Sequence, residues 1–439
     1  MFIEDFVENA SIPQSRADVK SDKLPRRGAL VTALGIVEIL SWGSSYYLLA
    51  VLAKPIAVDT GFSLAWVVAG LSLALLAGGV ASPFVGRMIE HRGGRPVLAG
   101  SSVLFAFGFG CLSLATSLPV YLTAWLIIGF AMGSGLYDAA FATLGRIYGQ
   151  NARPAIALLT LFGGFASTVC WPLTAFLTEA FGWRGACIVY AGLHLAVGLP
   201  LNLFILPREK KIALPSKAMR AAQNRSSDSR KVTAFFLLAA IVTLGDALLS
   251  VISVHLISIL QTRGMALMSA VALGALIGPA QVGARIIEMA AGRFYHPIWT
   301  LMASTILIAA GLALIFNPFQ TAAVALAVIL YGSGMGLAYI ARGTVPLRIF
   351  GPIGYASLMG RLALPSLLAQ ALSPSLASVL LAKGNANLTI TIVMGIAVTN
   401  VVLGVLLWMA AKHFRTPQEQ SEQPSRSAGR SVEGTSRIG

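Results

Sequence analysis

The chain has 439 residues, of which 56% are hydrophobic and only 11% are charged, and its formal net charge at pH 7 is +15. Soluble domains carry about 25% charged residues, so this composition excludes a water-soluble enzyme and a disordered chain. The three cysteines form no CxxC motif and no Cys/His cluster, which excludes a disulfide scaffold and predicts no metal site. We therefore expect a polytopic membrane protein without a cofactor, whose helices cross the hydrocarbon in about 20 residues each.

Twelve long apolar runs follow one another along the chain. In lipid such runs are expected to be helices, because a helix satisfies its own backbone hydrogen bonds. The pattern predicts an all-α membrane protein of six plus six transmembrane helices. The predicted spans lie at about 30–53, 64–86, 97–116, 119–140, 155–178, 185–206, 232–260, 266–290, 298–316, 319–341, 353–381 and 388–411.

Charged stretches divide the chain into two bundles and three polar segments. Residues 1–29 are predicted to be a cytoplasmic tail; they contain acidic residues and no apolar core, which argues against a cleaved signal peptide. The predicted order continues with a six-helix bundle at 30–206, a cytoplasmic loop at 207–231, a second six-helix bundle at 232–411 and a disordered cytoplasmic tail at 412–439.

The distribution of basic residues predicts the orientation of these spans. Arg342 and Arg361 lie within predicted spans, so 32 − 4 − 2 = 26 of the 32 lysines and arginines lie on the side of the two termini. Positive charge collects on cytoplasmic loops. This count therefore predicts that the protein lies in the inner membrane of the cell with both termini in the cytoplasm. The excess charge then indicates topology and no nucleic-acid partner. The other side holds four basic residues, Lys54, Arg184, Arg263 and Lys383.

The two halves of the chain resemble each other at a nearly constant offset. An even number of spans returns the chain to the same side, so the two six-helix repeats are predicted to be parallel. The matches are Val31-Thr32-Ala33 with Val232-Thr233-Ala234, Arg87, Glu90 and Arg95 with Arg285, Glu288 and Arg293, Arg146-Ile147 with Arg348-Ile349, and Pro172 with Pro374, at offsets of 201, 198, 202 and 202.

The loop after the second predicted span carries a family resemblance. Residues 86–96 read GRMIEHRGGRP, which resembles the signature loop of the major facilitator superfamily, Gly-x-Leu-x-Asp-Arg-x-Gly-Arg-Lys/Arg. Gly86, Gly93 and Arg95 match, Glu90 stands for the aspartate, and His91 replaces a basic residue. The resemblance implies the major facilitator fold and a secondary active transporter that works by alternating access.

The same loop is a candidate gate between the two halves. Gly86 is expected to let the second and eleventh spans approach closely. Glu90 is expected either to accept from the N-terminal amides of a neighbouring helix or to pair with Arg95. Such contacts would hold one state closed, with Gly93 part of the same loop. The alternative is that these charges only establish topology.

Within the superfamily, the chain resembles monocarboxylate and organic-anion transporters, in which an arginine of the eighth span binds the carboxylate. Arg285 stands at that position, but Gln281 replaces the acid four residues earlier, which puts proton coupling at this pair in doubt. Arg285 is alternatively a topology charge that matches Arg87. The fifth span contains Gly163-Gly164 but lacks the Gly-Pro typical of drug/proton antiporters, which argues against that subclass.

Four ionisable residues fall on the first, fourth, seventh and tenth spans, which line the central cavity if the resemblance holds. Glu38 and Asp246 are candidate proton carriers, and Arg342 presents a fork of donors for a carboxylate. Asp138 is a further candidate, although a pair of Asp138 with Arg342 or Arg146 would only tie helices together.

Tyr46 follows Glu38 by two helical turns and is expected on the same face of the first span, where its ring would line a pocket or anchor the interface. No ATP-binding loop is present. We therefore predict a transporter and no enzyme, with a small organic anion and protons as partners, acting as a monomer in the lipid bilayer. The alternative is a proton-driven exporter of toxic amphipathic compounds.

Overall fold

The computed structural model describes residues 27–208, 229–262, 264–316, 321–382 and 386–411, and every regular element within these ranges is helical. The predicted tails at 1–26 and 412–439 and the central loop at 209–228 lie outside the described residues. The N-terminal half contains α1 (Arg27–Ser44), α2 (Leu49–Thr60), α3 (Leu64–Arg92), α4 (Gly94–Ser113), α5 (Leu118–Gly135), α6 (Tyr137–Tyr148), α7 (Arg153–Gly164), α8 (Ala166–Leu193) and α9 (Leu199–Phe204). The C-terminal half contains α10 (Ser229–Thr262), α11 (Leu267–Gly274), α12 (Ile277–Ala291), α13 (Pro297–Phe316), α14 (Thr321–Phe350), α15 (Tyr355–Ala382) and α16 (Ala386–Ala411).

Ten helical segments of the described ranges are long and apolar enough to cross a membrane. One of them, Leu118–Phe204, has 87 residues. At about 1.5 Å per residue it exceeds a single bilayer crossing several times over. It contains α5 to α9, and α8 is kinked at Gly182, where φ is +71°. The number of twelve crossings therefore stays a prediction, while the helical membrane architecture agrees with the apolar runs.

Several predicted spans are interrupted near their middle. The first is broken between Ser44 and Leu49 by a four-residue turn, and the fourth is broken at Leu136, whose backbone is extended. Tyr46 falls in this turn and not on α1, so two unbroken helical turns do not separate it from Glu38, while its ring contacts that of Trp42, one turn after Glu38. The fourth span also continues beyond its predicted end to Tyr148.

The buried apolar side chains form three clusters that differ in how they join the halves. One cluster contains residues of both halves, from Leu30 and Ile89 to Val345 and Tyr355. A second belongs to the N-terminal half apart from Ala371 of α15. The third belongs to the C-terminal half alone. The halves thus share a core at one end of the molecule and separate cores at the other.

The end with the shared core is also the end with the basic loops. We call it the basic end and define it by residues 87–95, 146–153, 288–297 and 348–356. These segments contact one another: Arg153 reaches Glu288 and the Tyr295 carbonyl, and Glu90 reaches the amides of Gly354 and Ala356. The chain is therefore packed most tightly between its halves where its positive charge is concentrated.

Candidate functional site

The break in the fourth predicted span places a carboxylate at a helix start in the centre of the molecule. The segment before it contains Gly129, Gly133 and Gly135, and α5 ends at the last of these. α6 then starts at Tyr137, so Asp138 lies in its first turn. The positive end of the helix dipole favours a carboxylate at this position.

Asp138 belongs to a buried ionic cluster that crosses between the halves. Arg342 of α14 donates from Nε and Nη2 to the two carboxylate oxygens of Asp138, each at 2.8 Å. Its Nη1 donates to Oδ2 of Asp246 on α10, and that oxygen also accepts from the hydroxyl of Ser366 on α15. The side chains of Arg342, Asp246 and Asp138 are 7%, 8% and 17% exposed. Two carboxylates on one guanidinium give the cluster a net charge of −1.

This arrangement decides between the two pairings that the sequence left open. Asp138 pairs with Arg342, whereas Arg146 donates to the backbone carbonyl of Glu90. Arg342 lies on α14, so its contacts join α14 and α10 of the C-terminal half to α6 of the N-terminal half.

A cavity lies beside the ionic cluster, between the two halves. Its polar lining includes Asp138, Arg342 and Gln370, and three aromatic rings face it, those of Trp42, Tyr137 and Tyr339. The ring centroids of Trp42 and Tyr137 are 5.1 Å apart, and those of Tyr137 and Tyr339 are 5.6 Å apart. The cavity has a volume of only about 30 Å³, room for about one water molecule, so its walls are closed on each other in this conformation. These walls combine apolar rings with charged groups, as the walls of ligand pockets commonly do.

Arg285 of α12 is buried between the halves at 2% exposure; it does not line the cavity, but its guanidinium lies beside Tyr339, which does. Its Nη1 donates to the carbonyl of Thr160 on α7 at 2.7 Å. Weaker contacts at 3.4 Å reach the carbonyl of Gly336 and Oε1 of Gln281. In the described part of the chain no carboxylate pairs with it, so its charge is solvated by neutral oxygens only.

Tyr339 connects Arg285 to the cavity. The guanidinium carbon of Arg285 lies 5.6 Å from the centroid of the Tyr339 ring, and the same ring lines the cavity. The carbonyl of Thr160 also accepts from the hydroxyl of Tyr137 at 3.2 Å. Both rings therefore line the cavity and also contact Arg285 or its partner Thr160.

The paired glycines of α7 make room for this arrangement. A Cβ atom on Gly163 would lie 1.9 Å from the hydroxyl of Tyr137, and one on Gly164 would lie 2.2 Å from Nη1 of Arg285. Any larger residue would displace the two groups that approach Thr160. Sequence analysis considered these glycines only because the Gly-Pro of drug/proton antiporters is missing beside them, and it missed the space that they leave for Arg285.

Glu38 of α1 is the other buried carboxyl group of the centre, at 2% exposure. Its Oε2 is buried without a hydrogen-bond partner, and it has no cation partner among the described side chains. Trp42 follows one turn later and lines the cavity. A buried carboxylate without such partners is strongly unfavourable, so the environment of Glu38 suits the protonated form.

Tyr46 belongs to the aromatic group, although it lies in the turn after α1. Its ring centroid is 5.5 Å from that of Trp42 and 5.3 Å from that of Tyr47. The rings form a chain from this turn to the cavity wall. The contacts place Tyr46 beside the site through Trp42.

The candidate gate lies at the basic end, where α3 meets α15. The carboxylate of Glu90 accepts from the backbone amides of Gly354 at 3.1 Å and Ala356 at 3.2 Å, at the start of α15. A Cβ atom on Gly86 would lie 2.4 Å from the carbonyl of Ala356, so only glycine permits this approach. Of the two partners predicted for Glu90, the structure shows the backbone amides at the start of a neighbouring helix, α15.

The remaining loop residues have separate positions. Gly93 has φ +86° and closes α3 by donating its amide to the Ile89 carbonyl at 2.9 Å, which is a conformation that favours glycine. Arg95 is half-buried and forms no ion pair with a residue of the described ranges.

Glu288 occupies the equivalent position of the other half and uses different partners. Its carboxylate accepts from Nη2 of Arg153 at 2.9 Å, from the hydroxyl of Thr300 at 2.7 Å and from the hydroxyl of Tyr295. Arg153 starts α7 just as Tyr355 starts α15, at the repeat offset of 202. Burial and the bond to Glu288 raise the pKa of Tyr295 to about 12.

No cluster of three or more histidine, cysteine, aspartate or glutamate side chains that could hold a metal occurs in the described ranges. Sequence analysis missed Ser366, Gln370 and Thr160. Small polar residues and a backbone carbonyl carry no charge signal, and only the packing of distant helices brings them to the site.

The family model of the Major Facilitator Superfamily matches residues 34–360 of the chain. Monocarboxylate transporter 11 of Homo sapiens is 29% identical over 227 residues, which cover 51% of this chain and 46% of that protein. The chain thus spans about half the length of this curated relative.

Solved structures agree in fold. The human organic anion transporter MFSD10 (TETRAN) superposes with a TM-score of 0.66 at 17% identity, over 87% of this chain and 100% of that one. The proton:xylose symporter XylE, bound to 6-bromo-6-deoxy-D-glucose, has a TM-score of 0.63 at 11% identity, over 87% and 95% of the two chains.

Proposed function

Because the chain belongs to the major facilitator superfamily, whose model matches residues 34–360, we propose that it is a secondary active transporter of a small organic anion. It is an integral membrane protein, and its halves would rock about the central cavity to expose the cavity to either side in turn. The relative named monocarboxylate transporter supports a carboxylate as the anion. The likeness to the two solved structures supports the fold and carries no argument about the substrate.

The observation that carries this proposal is Arg285. A buried guanidinium held by the Thr160 carbonyl and by other neutral oxygens keeps its full charge for an incoming anion. Its planar fork suits a carboxylate. Gln281 lies at the position where an acid would neutralise Arg285, and it accepts at 3.4 Å without removing the charge. We assign Arg285 to the substrate carboxylate and the wall of Trp42, Tyr137 and Tyr339 to its apolar body.

We further propose that the transport is coupled to protons through Glu38. The carboxyl group is buried in α1, one turn from Trp42 of the cavity wall, and has an unpartnered oxygen. With Asp138, Asp246 and Arg342 at a net charge of −1 and Arg285 at +1, the centre is neutral when Glu38 is protonated. An anion bound at Arg285 then enters an uncharged centre, and proton release follows when water reaches Glu38.

The orientation of the molecule follows from its charge. We propose that the basic end faces the cytoplasm of the inner membrane, because basic loops are retained there. The contacts of Glu90 with α15 and of Glu288 with Arg153 would then close the cytoplasmic side, and the separate cores of the two halves would flank an opening to the outside. We propose that one chain is sufficient for transport, because both walls of the cavity come from the same chain.

Uptake into proteoliposomes tests this function. Purified protein is reconstituted, an inward proton gradient is imposed, and radiolabelled short-chain monocarboxylates and amphipathic cations are supplied separately. We expect uptake of a monocarboxylate that rises with the gradient and is lost in Arg285→Gln. Arg361→Gln is the matched control, because Arg361 lies exposed on α15 away from the cavity. Uptake or expulsion of amphipathic cations alone would overturn the proposal in favour of a drug exporter.

A further inference from the structure

A second polar cleft lies at the basic end, outside the central cavity. It encloses about 370 Å³ and is lined from both halves. Gln150 and Arg153 come from the N-terminal half, and Arg293, His296 and Arg348 come from the C-terminal half. The central transport site uses none of these side chains.

The charge of this cleft is positive. Arg153 is paired with Glu288, whose oxygens also accept from Thr300 and Tyr295. Arg293 and Arg348 are exposed, and neither has a carboxylate partner in the part of the chain that the structure describes. Three arginines against one glutamate leave a net charge of +2.

The pKa of His296 is affected by the same positive charge. Burial, and then the neighbouring guanidinium groups of Arg348 and Arg153, lower the pKa of His296 to about 4. The imidazole is therefore neutral at pH 7. Its Nδ1 accepts from the amide of Ile298 at 3.2 Å, so the ring proton is on Nε2 and is available as a donor.

We propose that this cleft binds a phosphate-bearing anion that bridges the two halves. Arginine forks bind phosphate oxygens in pairs, and the cleft presents Arg293 and Arg348 from one half beside Arg153 from the other. Gln150 and the Nε2–H of His296 supply neutral donors. The anion is either a free cytoplasmic phosphate compound or the headgroup of an anionic lipid.

Binding at this cleft would depend on the state of the transporter. When the halves separate at the basic end, Arg153 moves away from Arg293 and Arg348, and the site is divided. A ligand shifts an equilibrium by its difference in affinity for the two states. The anion would thus hold the basic end closed and slow turnover, a consequence that rests on the proposed function, whereas binding itself does not.

Direct binding separates the two questions. Inorganic pyrophosphate is titrated by calorimetry into purified full-length protein in phosphatidylcholine nanodiscs. We expect saturable binding that weakens at least 10-fold in Arg293→Gln/Arg348→Gln. Arg87→Gln, which removes an exposed arginine at the same end beside Phe84, should bind as the wild type does. Thermal unfolding confirms that each variant is folded.

A second arm identifies the source of the phosphate. Native mass spectrometry compares phosphatidylglycerol retained by the wild type and by the double variant. Selective retention by the wild type, with competition by pyrophosphate, assigns the site to a lipid headgroup. Pyrophosphate binding without lipid retention assigns it to a soluble anion. Absence of both, or equal weakening in Arg87→Gln, overturns the site, whatever the result of the uptake assay.

Discussion

Arg342 and Arg285 are two buried guanidinium groups at the contact between the halves, and they have opposite kinds of partners. Arg342 holds two carboxylates, those of Asp138 and Asp246. Arg285 donates to the backbone carbonyls of Thr160 and Gly336 and to the side-chain oxygen Oε1 of Gln281. Both are almost fully buried, at 7% and 2% exposure.

This difference is the reason for proposing a structural role for Arg342 and a binding role for Arg285. A cation that already has two carboxylates has little attraction left for a third, and breaking such a cluster is costly. A cation held by neutral oxygens keeps its charge. Sequence analysis offered both Arg342 and Arg285 as candidates for binding the substrate, and the contacts favour Arg285.

The largest expected effect is on uptake by Arg285→Gln. Removing one partner of a buried charge pair costs about 2–5 kcal/mol, so we expect anion uptake to fall about 100-fold or more. Arg285→Lys should restore part of it, because the charge returns without the fork. Initial uptake rates in proteoliposomes measure both variants. Wild-type rates in Arg285→Gln would remove Arg285 from the site.

Arg342→Gln tests the other side of the comparison. It leaves the buried carboxylates of Asp138 and Asp246 without their shared cation, and removing one partner of a buried ion pair costs about 3–5 kcal/mol. We expect a clear drop in the thermal unfolding midpoint. The matched control is Asp59→Asn, which breaks the exposed pair of Asp59 with Arg184 and should leave the unfolding midpoint nearly unchanged, because water screens exposed pairs. Equal shifts in the two variants would contradict a structural role for the buried cluster.

Glu38→Gln sharpens the comparison by fixing the charge near Arg285 at the value it has when Glu38 is protonated. Glutamine copies the protonated carboxyl group, so anion exchange between the two sides of the membrane should persist. Uptake should lose its dependence on an imposed proton gradient, which we expect to be severalfold in the wild type. Paired exchange and gradient-driven assays measure the two activities. A gradient response that survives in Glu38→Gln would place coupling elsewhere.

The smallest expected effects concern Glu90 and Glu288, the two carboxylates at the basic end. Like the two arginines, one of them has neutral partners and the other has a charged partner. Glu90 binds backbone amides, and Glu288 binds Arg153. Each glutamine variant should ease separation of the basic end and change exchange rates a few-fold. Glu288→Gln also frees Arg153, which should strengthen pyrophosphate binding at the neighbouring cleft. Identical behaviour of the two variants in both assays would show that their partners are interchangeable.

Much of the candidate site was within reach of sequence analysis. Charges are costly inside a membrane, so Glu38, Asp138, Asp246 and Arg342 stood out by rarity alone, and the structure joins three of them. The close approach of Gly86 and the capping of a helix by Glu90 followed from the loop pattern. The turn at residues 45–48 was missed, because it interrupts an apolar run without a charge or proline to mark it.

The sequence by itself determined the membrane class, the basic end and the list of buried charges, because these depend on local composition and on the solvent around each run. Only the tertiary structure decided the partners. Arg342 meets Asp138 and Asp246 across 204 and 96 residues, and Arg285 fits against Thr160 because Gly164 leaves space there. Composition counts charges, but only packing decides which of them neutralise one another and which one stays free for a substrate.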